Sequence, residues 1–580
     1  MNKRWFILVL AISSVAFALL ATSSLDALAQ GQANADGTTS YVLTASGTWG
    51  AAQNLAVRNA RGFVQFSHTN SGIGIATSSD PGFLKKLLKS GAFSGGAEDM
   101  MVQWQQPANE HLADEGVVEE AVTPGDDRFI NILWNMGAID AYGAWAAGYD
   151  GAGVRVAVID GGICSLHPDV APNIDVAASR SFVTGFNYDD DTGGATGFRH
   201  ACHVAGIIAA VDNTRGTIGV APGATIIACK ALHGGSGTFA AVIEAILYAS
   251  DPISAGGAGA NIINMSLGAL FPRGGGNTGA GQLVAATAKA VNYATANNVL
   301  VVSAAGNAAL DLDHSGSYIQ VPAQSGSGIA VSATAPQDWA GGATNFRDPA
   351  SYTNYGHSIV WVAAPGGDFA YPGNENCTLP LVSPPGVITR PCWVFDGVLS
   401  PGSQSGSYFW ASGTSMAAPH VSGVAALIVQ KYPGISVGDL KTLLSKTADD
   451  EGAIGADPIY GHGFVNARRA VTEPLASANR IAPPTAASGS AGARLDLAVT
   501  QFSGSSFSFI LPTAGRARIE LFDVAGRSVA VVYDGLAAAG RTTVAWNGQG
   551  AIGQLKRGAY FAKLSMGSSN VARKLVFLGQ

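Results

Sequence analysis

Short apolar runs alternate with longer helical stretches along the middle of the chain, from about residue 152 to residue 470. The runs are four to six residues long and rich in β-branched residues, which is typical of strands buried on both faces. The stretches between them, such as Phe239–Ala249 and Gly281–Asn297, are long enough for helices that cross between strands. This alternation predicts an open α/β sheet of mostly parallel strands. The predicted strands are Val154–Ile159, Thr225–Ala228, Ile262–Met265 and Val299–Val302.

Residues 1–29 carry the pattern of a secretory signal peptide. Lys3 and Arg4 give a basic start, an apolar run extends to about Ala21, and Ala27-Leu28-Ala29 supplies a small-residue exit. The alternative is an uncleaved membrane anchor, but the apolar run is just short of the ~20 residues that a spanning helix needs. We therefore expect a secreted protein that begins near Gln30, with no transmembrane span after signal removal.

Residues 30–125 show a third pattern, that of a small α+β region. Short strands are predicted at Tyr41–Leu43 and Ile73–Ala76, and a helix is predicted to begin at Asp80-Pro81. The stretch 110–127 is acidic and punctuated by Pro and Gly, which suits an exposed connection to the central region.

The C-terminal part has the pattern of a separate β domain. Residues 473–492 have the composition of a linker, and residues 493–580 alternate apolar and polar positions with a period of two. Ala517, Ile519 and Leu521 fall on one face of a predicted strand. Over 511–580 there are nine Lys and Arg but three Asp and Glu. That basic balance suits either contact with an anionic surface, such as a cell surface, or a merely solvated β-sandwich domain.

Composition excludes several classes of protein. Of the 580 residues, 47% are hydrophobic and 13% are charged, and 75 are glycine. So few charges exclude a disordered polyelectrolyte, and glycine without a three-residue period excludes collagen. A net charge of −7 gives no general attraction to nucleic acid.

The five cysteines allow a disulfide in an exported protein. Cys377 and Cys392 have fourteen residues between them, a loop for which closure entropy gives ~3 kcal/mol of stabilisation. We expect these two residues to pair, the alternative being two solvated thiols. Of Cys164, Cys202 and Cys229, at least one must then be unpaired.

Candidate catalytic residues follow the predicted strands or open the predicted helices. Asp160 ends a buried strand, and His200 opens the run His-Ala-Cys-His-Val-Ala-Gly. Asn307 ends Ala-Ala-Gly-Asn, and Ser415 lies in Gly-Thr-Ser-Met-Ala-Ala-Pro-His at a turn into a helix. A serine hydroxyl becomes a nucleophile when an imidazole takes its proton and a buried carboxylate orients that imidazole. A helix N-terminus and an amide side chain can then stabilise an oxyanion.

These four motifs, in this order, resemble those of the subtilisin-like serine proteases over about Trp134–Ala470. The resemblance implies a doubly wound α/β fold and endopeptidase activity without a catalytic cofactor. It implies that Asp160 orients His200, that His200 is general base and then acid, and that Ser415 attacks the substrate. Asn307 would donate to the oxyanion.

The sequence departs from the family pattern beside two of these residues. Gly161 stands where the family usually has Ser or Thr, and Ala201-Cys202 stand where it usually has Gly-Thr. Either change could loosen the geometry around Asp160 and His200. A thiol at Cys202 would make the protein sensitive to mercurials, although a buried, inert cysteine is an equal alternative.

The same resemblance implies a substrate cleft between two extended segments. Each segment would bind an extended peptide through main-chain hydrogen bonds. Small pocket walls imply room for a large side chain at P1, the residue before the cleaved bond, and hence broad specificity that favours apolar or aromatic residues. Phe239 is expected to line the pocket for the P4 side chain. The expected cleft residues are Gly235, Ser236, Gly237, Ser266, Leu267, Gly268, Ala304, Ala305 and Gly306.

A structural calcium site is also implied by the resemblance. The loop 211–217 matches the length of the family's calcium loop, and Asp169 in His-Pro-Asp supplies a carboxylate. All-oxygen ligation suits Ca²⁺, whereas an ordinary turn is the alternative. The implied ligands are the side chains of Asp169 and Asn213 and the carbonyls of Val211, Arg215 and Thr217.

The flanking regions suit a secreted zymogen that acts on polypeptides. Residues 30–125 faintly resemble the family's propeptides, which inhibit the enzyme and template its folding, and the peptidase domain would span 126–472. The tail resembles small bacterial immunoglobulin-like domains, some of which are secretion signals. We expect a monomer. One alternative is a catalytically impaired scaffold that binds or attaches through its tail. An α/β-hydrolase esterase is disfavoured because Ala417 stands where Gly-x-Ser-x-Gly needs its second glycine.

Overall fold

The structure is a computed structural model of the chain, in which two compact units comprise residues 1–481 and 482–580. The predicted signal peptide and most of the predicted linker lie outside the described residues. The described residues are 34, 36–104, 113–115, 129–191, 197–272, 279–316, 318–370, 375–381, 386–475, 496–500, 506–511, 515–522, 527–537, 540–545, 549–550, 553–554, 558–566 and 569–577.

The N-terminal part of the first unit is a small α+β region. Its elements are β1 (Thr39–Ala45), α1 (Ala51–Asn59), β2 (Phe63–His68), β3 (Ile73–Ser78), α2 (Phe83–Lys89), β4 (Phe93–Glu98) and β5 (Met101–Gln103). The antiparallel sheet has the order β2–β3–β1–β4, and Tyr41, Leu43 and Phe83 pack between the sheet and the helices. Both predicted strands are present. The helix begins at Phe83, two residues later than Pro81, because Asp80 caps the preceding turn by accepting from Gly82 N–H at 2.8 Å.

The rest of the first unit is built on an α/β sheet. Its α-helices and strands are β6 (Ala113–Glu115), α3 (Trp134–Ala138), α4 (Ala141–Ala146), β7 (Arg155–Asp160), β8 (Arg180–Ser181), α5 (His200–Ala209), β9 (Thr225–Lys230), β10 (Ser236–Thr238), α6 (Phe239–Ser250), β11 (Ile262–Met265), β12 (Ala269–Pro272), α7 (Ala280–Ala296), β13 (Leu300–Ala304), β14 (Tyr318–Val321), β15 (Ile329–Ala335), β16 (Asp348–Pro349), β17 (Val360–Pro365), β18 (Asn376–Leu381), β19 (Gly386–Pro391), β20 (Val398–Pro401), β21 (Tyr408–Ala411), α8 (Thr414–Lys431), α9 (Val437–Lys446) and α10 (Ala467–Thr472). Short 3₁₀ helices span Ile130–Ile132, Ala171–Asn173, Ile253–Ala255 and Cys392–Asp396.

The main sheet has the order β16–β15–β13–β11–β7–β9–β8, with β17 paired to β15. All of these pairings are parallel except that of β15 with β16. Val156 and Val158 of β7 pack in one core with α5 and α8, whereas Ala157 and Ile159 pack in another with α6 and α7. Helices therefore cover both faces, which confirms the predicted doubly wound α/β fold.

The predicted central strands agree closely with the observed ones. The prediction Ile262–Met265 coincides with β11, and the others differ from β7, β9 and β13 by one or two residues at an end. The two predicted crossover helices are α6 and α7. Within the described residues, no helix is both long and apolar enough to cross a membrane.

The second unit is all-β in its described residues. Its strands are β22 (Asp496–Thr500), β23 (Ser506–Leu511), β24 (Gly515–Phe522), β25 (Ser528–Ala537), β26 (Gly540–Ala545), β27 (Gln549–Gly550), β28 (Gly553–Gln554), β29 (Gly558–Met566) and β30 (Ser569–Phe577). They form antiparallel sheets of order β22–β23–β26, β25–β24–β29–β30 and β27–β28. Ala517, Ile519 and Leu521 are fully buried between partly exposed neighbours, as the alternation predicts.

Two disulfides are present among the described cysteines. Cys377 of β18 is bonded to Cys392, the residue directly after β19, which confirms the predicted pair. Cys164 and Cys202 are also bonded, so the prediction of a mercurial-sensitive thiol at Cys202 is wrong. The sequence could not reveal this pair, because only the fold brings the loop after β7 against α5. Cys229 is a buried free thiol, and burial raises its pKa to about 12.

The two disulfides should differ in their effect on stability and catalysis. They join residues separated by 38 and 15 positions. Loop entropy gives about 4 kcal/mol for the longer and about 3 kcal/mol for the shorter. Replacing Cys164 and Cys202 by Ser should lower both the melting temperature and kcat, because this pair ties the segment after Asp160 to the helix that begins with His200. The matched Cys377/Cys392 variant should lose stability with little change in kcat. Equal kcat losses in the two variants would contradict this assignment.

Candidate active site

A buried hydrogen bond joins Asp160 to His200. Asp160 is the last residue of β7, fully buried at the carboxyl end of the strand, and His200 is the first residue of α5. Nδ1 of His200 lies 2.8 Å from Oδ2 and 3.0 Å from Oδ1 of Asp160. Because an ionised carboxylate only accepts hydrogen bonds, Nδ1 carries the hydrogen and Nε2 of the neutral ring can take up a proton.

The departures from the family pattern fit this geometry. Gly161 N–H donates to Oδ1 of Asp160 at 2.6 Å. A Cβ at Gly161 would lie only 2.7 Å from Oδ2 of Asp191, so that carboxylate occupies the space that a Ser or Thr side chain would need. Ala201 is buried in α5, and Cys202 is held by the disulfide to Cys164. The substitutions therefore leave the contact between Asp160 and His200 in place.

Lys230 supplies a buried positive charge on the strand next to Asp160. It pairs with Asp160 in the register of β7 and β9, and its ammonium donates to the carbonyl of Leu232 at 2.6 Å. Burial lowers the pKa of Lys230, whereas the nearby carboxylates, first Asp191 and then Asp160, raise it. This cation helps to offset the cost of burying the Asp160 carboxylate. Sequence reasoning missed it, because a lysine at a strand end carries no motif.

Ser415 lies at the N-terminal end of α8, directly after Gly413 and Thr414. Its hydroxyl is buried and donates to the carbonyl of Ser266 at 3.3 Å, while the hydroxyl of Ser266 donates to the carbonyl of Ser415 at 2.7 Å. Ser266 follows β11, which is the parallel neighbour of β7. Ser415 is therefore at the same carboxyl edge of the sheet as Asp160, in the favourable field of a helix N-terminus.

Asn307 is oriented by Thr414. Oδ1 of Asn307 accepts from Thr414 N–H at 2.9 Å and from the Thr414 hydroxyl at 2.7 Å. The same hydroxyl accepts from Gly306 N–H at 3.0 Å. These contacts fix the amide of Asn307 with its oxygen engaged, which leaves its NH₂ as the donor group. Sequence reasoning did not identify Thr414, although its place beside Ser415 was a usable signal.

A pocket opens beside Ser415 and Asn307. Of the predicted wall residues, Leu267, Gly268, Ala304 and Gly306 line this pocket, whereas the fully buried Ser266 and Ala305 are not among its lining residues. None of its lining residues carries a charge, but two buried amides, Gln320 and Asn354, were not expected from the sequence. The lining residues are Trp104, Leu267, Gly268, Leu270, Ala304, Gly306, Asn307, Ala308, Gln320, Asn354, Thr414 and Ser415.

The chain's own N-terminal region lies in the predicted cleft. Strand β5 pairs antiparallel with β10, so that Gln103 faces Ser236 and Val102 faces Gly237. Trp104 N–H donates to the carbonyl of Gly235 at 3.0 Å, and the carbonyl of Trp104 accepts from Gly268 N–H at 2.9 Å. A peptide is thus held between the two segments expected to bind substrate.

Phe239 lines the site that holds the Trp104 side chain. Phe239 is fully buried, and the rings of Trp104 and Phe271 lie 5.0 and 5.1 Å from its own. The Trp104 indole N–H donates to the carbonyl of Gly237 at 2.9 Å. The assignment of Phe239 to a P4 pocket stays a prediction. Phe239 does contact the aromatic side chain of Trp104, which follows the bound strand β5.

The residues of the implied calcium site come together without forming an oxygen cage. Oδ2 of Asp169 accepts from Thr217 N–H at 3.0 Å and from the Tyr408 hydroxyl at 2.8 Å. Oδ1 of Asp169 accepts from the amide NH₂ of Asn213 at 3.2 Å, because Oδ1 of Asn213 is turned to Arg215 N–H at 3.0 Å. Hydrogen-bond donors therefore face the carboxylate, so the residues as arranged do not fit Ca²⁺, which needs oxygen atoms.

Several known proteins are similar to this chain in sequence or in fold. Subtilisin DY of Bacillus licheniformis is 35% identical over 330 residues, 56% of this chain and 93% of that protein. Thermitase of Thermoactinomyces vulgaris is 33% identical over 352 residues, 60% of this chain and 99% of that protein. The crystal structure of a Staphylococcus aureus serine protease that processes the epidermin leader peptide covers 75% of this chain and 98% of its own, with a TM-score of 0.56 and 20% identity. That last likeness concerns the fold alone.

The matched region contains the assembled site. The sequence profile of the subtilase family matches residues 151–463, more than half of the chain, and this range includes Asp160, His200, Asn307 and Ser415. The subtilisins and thermitase match over nearly their whole lengths. The chain belongs to the subtilase family of serine endopeptidases.

Proposed function

We propose that this subtilase is a secreted, monomeric endopeptidase made as a zymogen, in which Asp160, His200 and Ser415 form the catalytic triad. The hydrogen bond of 2.8 Å from His200 to buried Asp160 carries the proposal, because it presents Nε2 of a neutral imidazole at the edge of the sheet where Ser415 begins a helix. The impaired-scaffold alternative is not favoured by any contact at the site, since Gly161 and Ala201 are accommodated without displacing Asp160 or His200.

The proposed reaction is acyl transfer to Ser415 followed by hydrolysis. The Ser415 hydroxyl turns from the Ser266 carbonyl to Nε2 of His200, which takes its proton as Oγ attacks the substrate carbonyl carbon. The NH₂ of Asn307 donates to the resulting oxyanion. His200 then gives the proton to the leaving amine as the C–N bond breaks. Water, deprotonated by His200, then attacks the acyl carbon, and His200 returns that proton to Oγ of Ser415 as the ester C–O bond breaks.

The N-terminal region would act as the inhibitory propeptide. Residues 101–104 make the main-chain hydrogen bonds of a bound strand, and Trp104 fills the Phe239 site. Polypeptide substrates would bind in the same extended form once this strand has left. The predicted cleavage region near Thr123–Asp127 lies outside the described residues.

Loss of the Ser415 hydroxyl should abolish hydrolysis. Casein cleavage by Ser415→Ala should fall by at least about three orders of magnitude, to the residual rate that binding and oxyanion contacts support. Ser445→Ala, a matched control on α9 whose hydroxyl donates to the Thr442 carbonyl at 3.0 Å, should keep wild-type activity. Equal activity of the Ser415→Ala variant and the wild type would overturn the mechanism.

Retention of the propeptide should depend on pH through Asp99. Asp99 belongs to the propeptide and lies against α6, where its half-buried carboxylate accepts from Ala240 N–H at 3.1 Å, and desolvation raises its pKa to about 6. Because the pKa is raised in the docked state, docking is favoured at low pH and loses this contribution as pH rises through 6. Burial also raises the pKa of Glu244 on α6, to about 7.

The measurement uses the Ser415→Ala chain after cleavage by an added protease between Trp104 and Phe129. Gel filtration should show propeptide affinity about tenfold higher at pH 5 than at pH 7 from the Asp99 contribution. The Asp99→Asn variant should show a smaller ratio. An affinity that is independent of pH, or higher at pH 7, would contradict the role of Asp99.

Calcium binding at the 211–217 loop is part of the proposal and requires a local change. Rotation of the Asn213 amide by half a turn would place Oδ1 beside the Asp169 carboxylate, so that both oxygens could bind one cation. The carbonyls of Val211, Arg215 and Thr217 complete the proposed ligand set.

Excess calcium should then stabilise the chelator-treated protein by about 2.7 kcal/mol at one hundred times Kd. The increment should appear as a higher melting temperature and should be lost in Asn213→Ala. Identical melting temperatures with calcium and with chelator would show that the loop is an ordinary turn.

A further inference from the structure

The pocket beside Ser415 must receive the side chain of the residue that supplies the cleaved carbonyl, provided the proposed function holds. Ser415 and Asn307 both line it. A carbonyl under attack has its carbon next to Oγ of Ser415 and its oxygen next to the amide of Asn307. The side chain on the adjoining α-carbon, that of P1, is then the one that reaches the pocket. The other residues that line the pocket therefore decide which P1 residues are accepted.

Gln320 is a buried polar residue of this pocket. It lies on β14, opposite Leu270 of β12, the strand that follows Gly268. Its main chain is fixed by Gln324, whose Oε1 accepts from Gln320 N–H at 2.9 Å and whose N–H donates to the Gln320 carbonyl at 2.8 Å. Only 4% of Gln320 is exposed.

The Gln320 amide lies between the two glycine walls. A Cβ at Gly268 would be 2.5 Å from Nε2 of Gln320, and a Cβ at Gly306 would be 2.9 Å from the same atom. A side chain at either wall would therefore displace the Gln320 amide from its present position. The Gln320 side chain therefore occupies part of the space that small pocket walls were predicted to leave for a large substrate side chain.

The side-chain amide of Gln320 has no hydrogen-bond partner among the described residues. The side-chain amide of Asn354, which also lines the pocket, is by contrast hydrogen-bonded to the main chain. Oδ1 of Asn354 accepts from the N–H groups of Ala308 and Leu310, each at 3.0 Å, and its NH₂ donates to the Ala305 carbonyl at 2.9 Å. Asn354 thus holds the loop, whereas Gln320 keeps both donor and acceptor capacity for a ligand.

We propose that Gln320 determines P1 specificity and selects a neutral side chain that ends in an amide, as in glutamine or asparagine. An amide offers the acceptor and donor that complement those of Gln320, while an apolar side chain would leave the buried amide unsatisfied. Among the described residues, none that lines the pocket carries a charge that could neutralise an ionic P1 side chain. This preference replaces the broad apolar or aromatic specificity that small pocket walls predict.

The test compares fluorogenic peptides that differ only at P1, with Gln, Met, Phe or Lys. Met matches Gln in length but lacks the amide. Wild-type kcat/KM should be about 10- to 100-fold higher for Gln than for Met, and lower still for Phe. A wild type that cleaves these peptides but ranks Met or Phe above Gln overturns the inference and leaves the proposed function intact. A wild type that cleaves neither peptides nor casein overturns both.

Two isosteric variants make the assignment specific to Gln320. Gln320→Met should lose the preference for Gln over Met, and Gln320→Glu should raise kcat/KM for Lys relative to Gln by at least about tenfold. Labelling by a fluorophosphonate and the melting temperature show whether each variant is folded. If a folded variant keeps the wild-type P1 ranking, the role of Gln320 is refuted. If both variants fail to fold, the wild-type ranking alone decides.

Discussion

A single buried hydrogen bond, from Nδ1 of His200 to the carboxylate of Asp160, sets the arrangement of the whole site. Burying a carboxylate at the end of a strand raises the free energy of the folded state unless hydrogen-bond donors face it. The His200 imidazole and Gly161 N–H are the donors that face Asp160. The parallel pairing of β7 with β11 then brings Ser266, and through it Ser415, to the same edge of the sheet. The disulfide from Cys164 to Cys202 holds the two elements that carry the bond.

The same edge explains why one surface can bind both a substrate and the chain's own N-terminal strand. One edge of β10 pairs with β5 by main-chain hydrogen bonds. Gly268 N–H donates to the carbonyl of Trp104, the residue that follows β5. Backbone recognition of this kind is indifferent to sequence. Selectivity must therefore come from side-chain pockets, and a buried amide in the pocket beside Ser415 is the kind of group that provides it.

Much of this architecture was readable from the sequence, because its signals are local. Buried parallel strands are continuous apolar runs, so the positions of β7, β9, β11 and β13 followed from the pattern. Asp160 directly follows such a run, and Asn307 comes three residues after β13. Contacts between distant segments were not readable. The pairing of Cys164 with Cys202, the place of Trp104 in the cleft and the entry of Gln320 between Gly268 and Gly306 all depend on how separate elements pack.

The central claim is that Asp160 activates Ser415 through His200. The most direct measurement is the second-order rate constant for phosphonylation by a fluorophosphonate, with the modified residue located by peptide mass mapping. In the wild type the label should be on Ser415, and in Asp160→Asn the rate constant should fall by about 10⁴, since the amide favours the wrong imidazole tautomer. A label on another serine, or an unchanged rate constant in Asp160→Asn, would contradict the account.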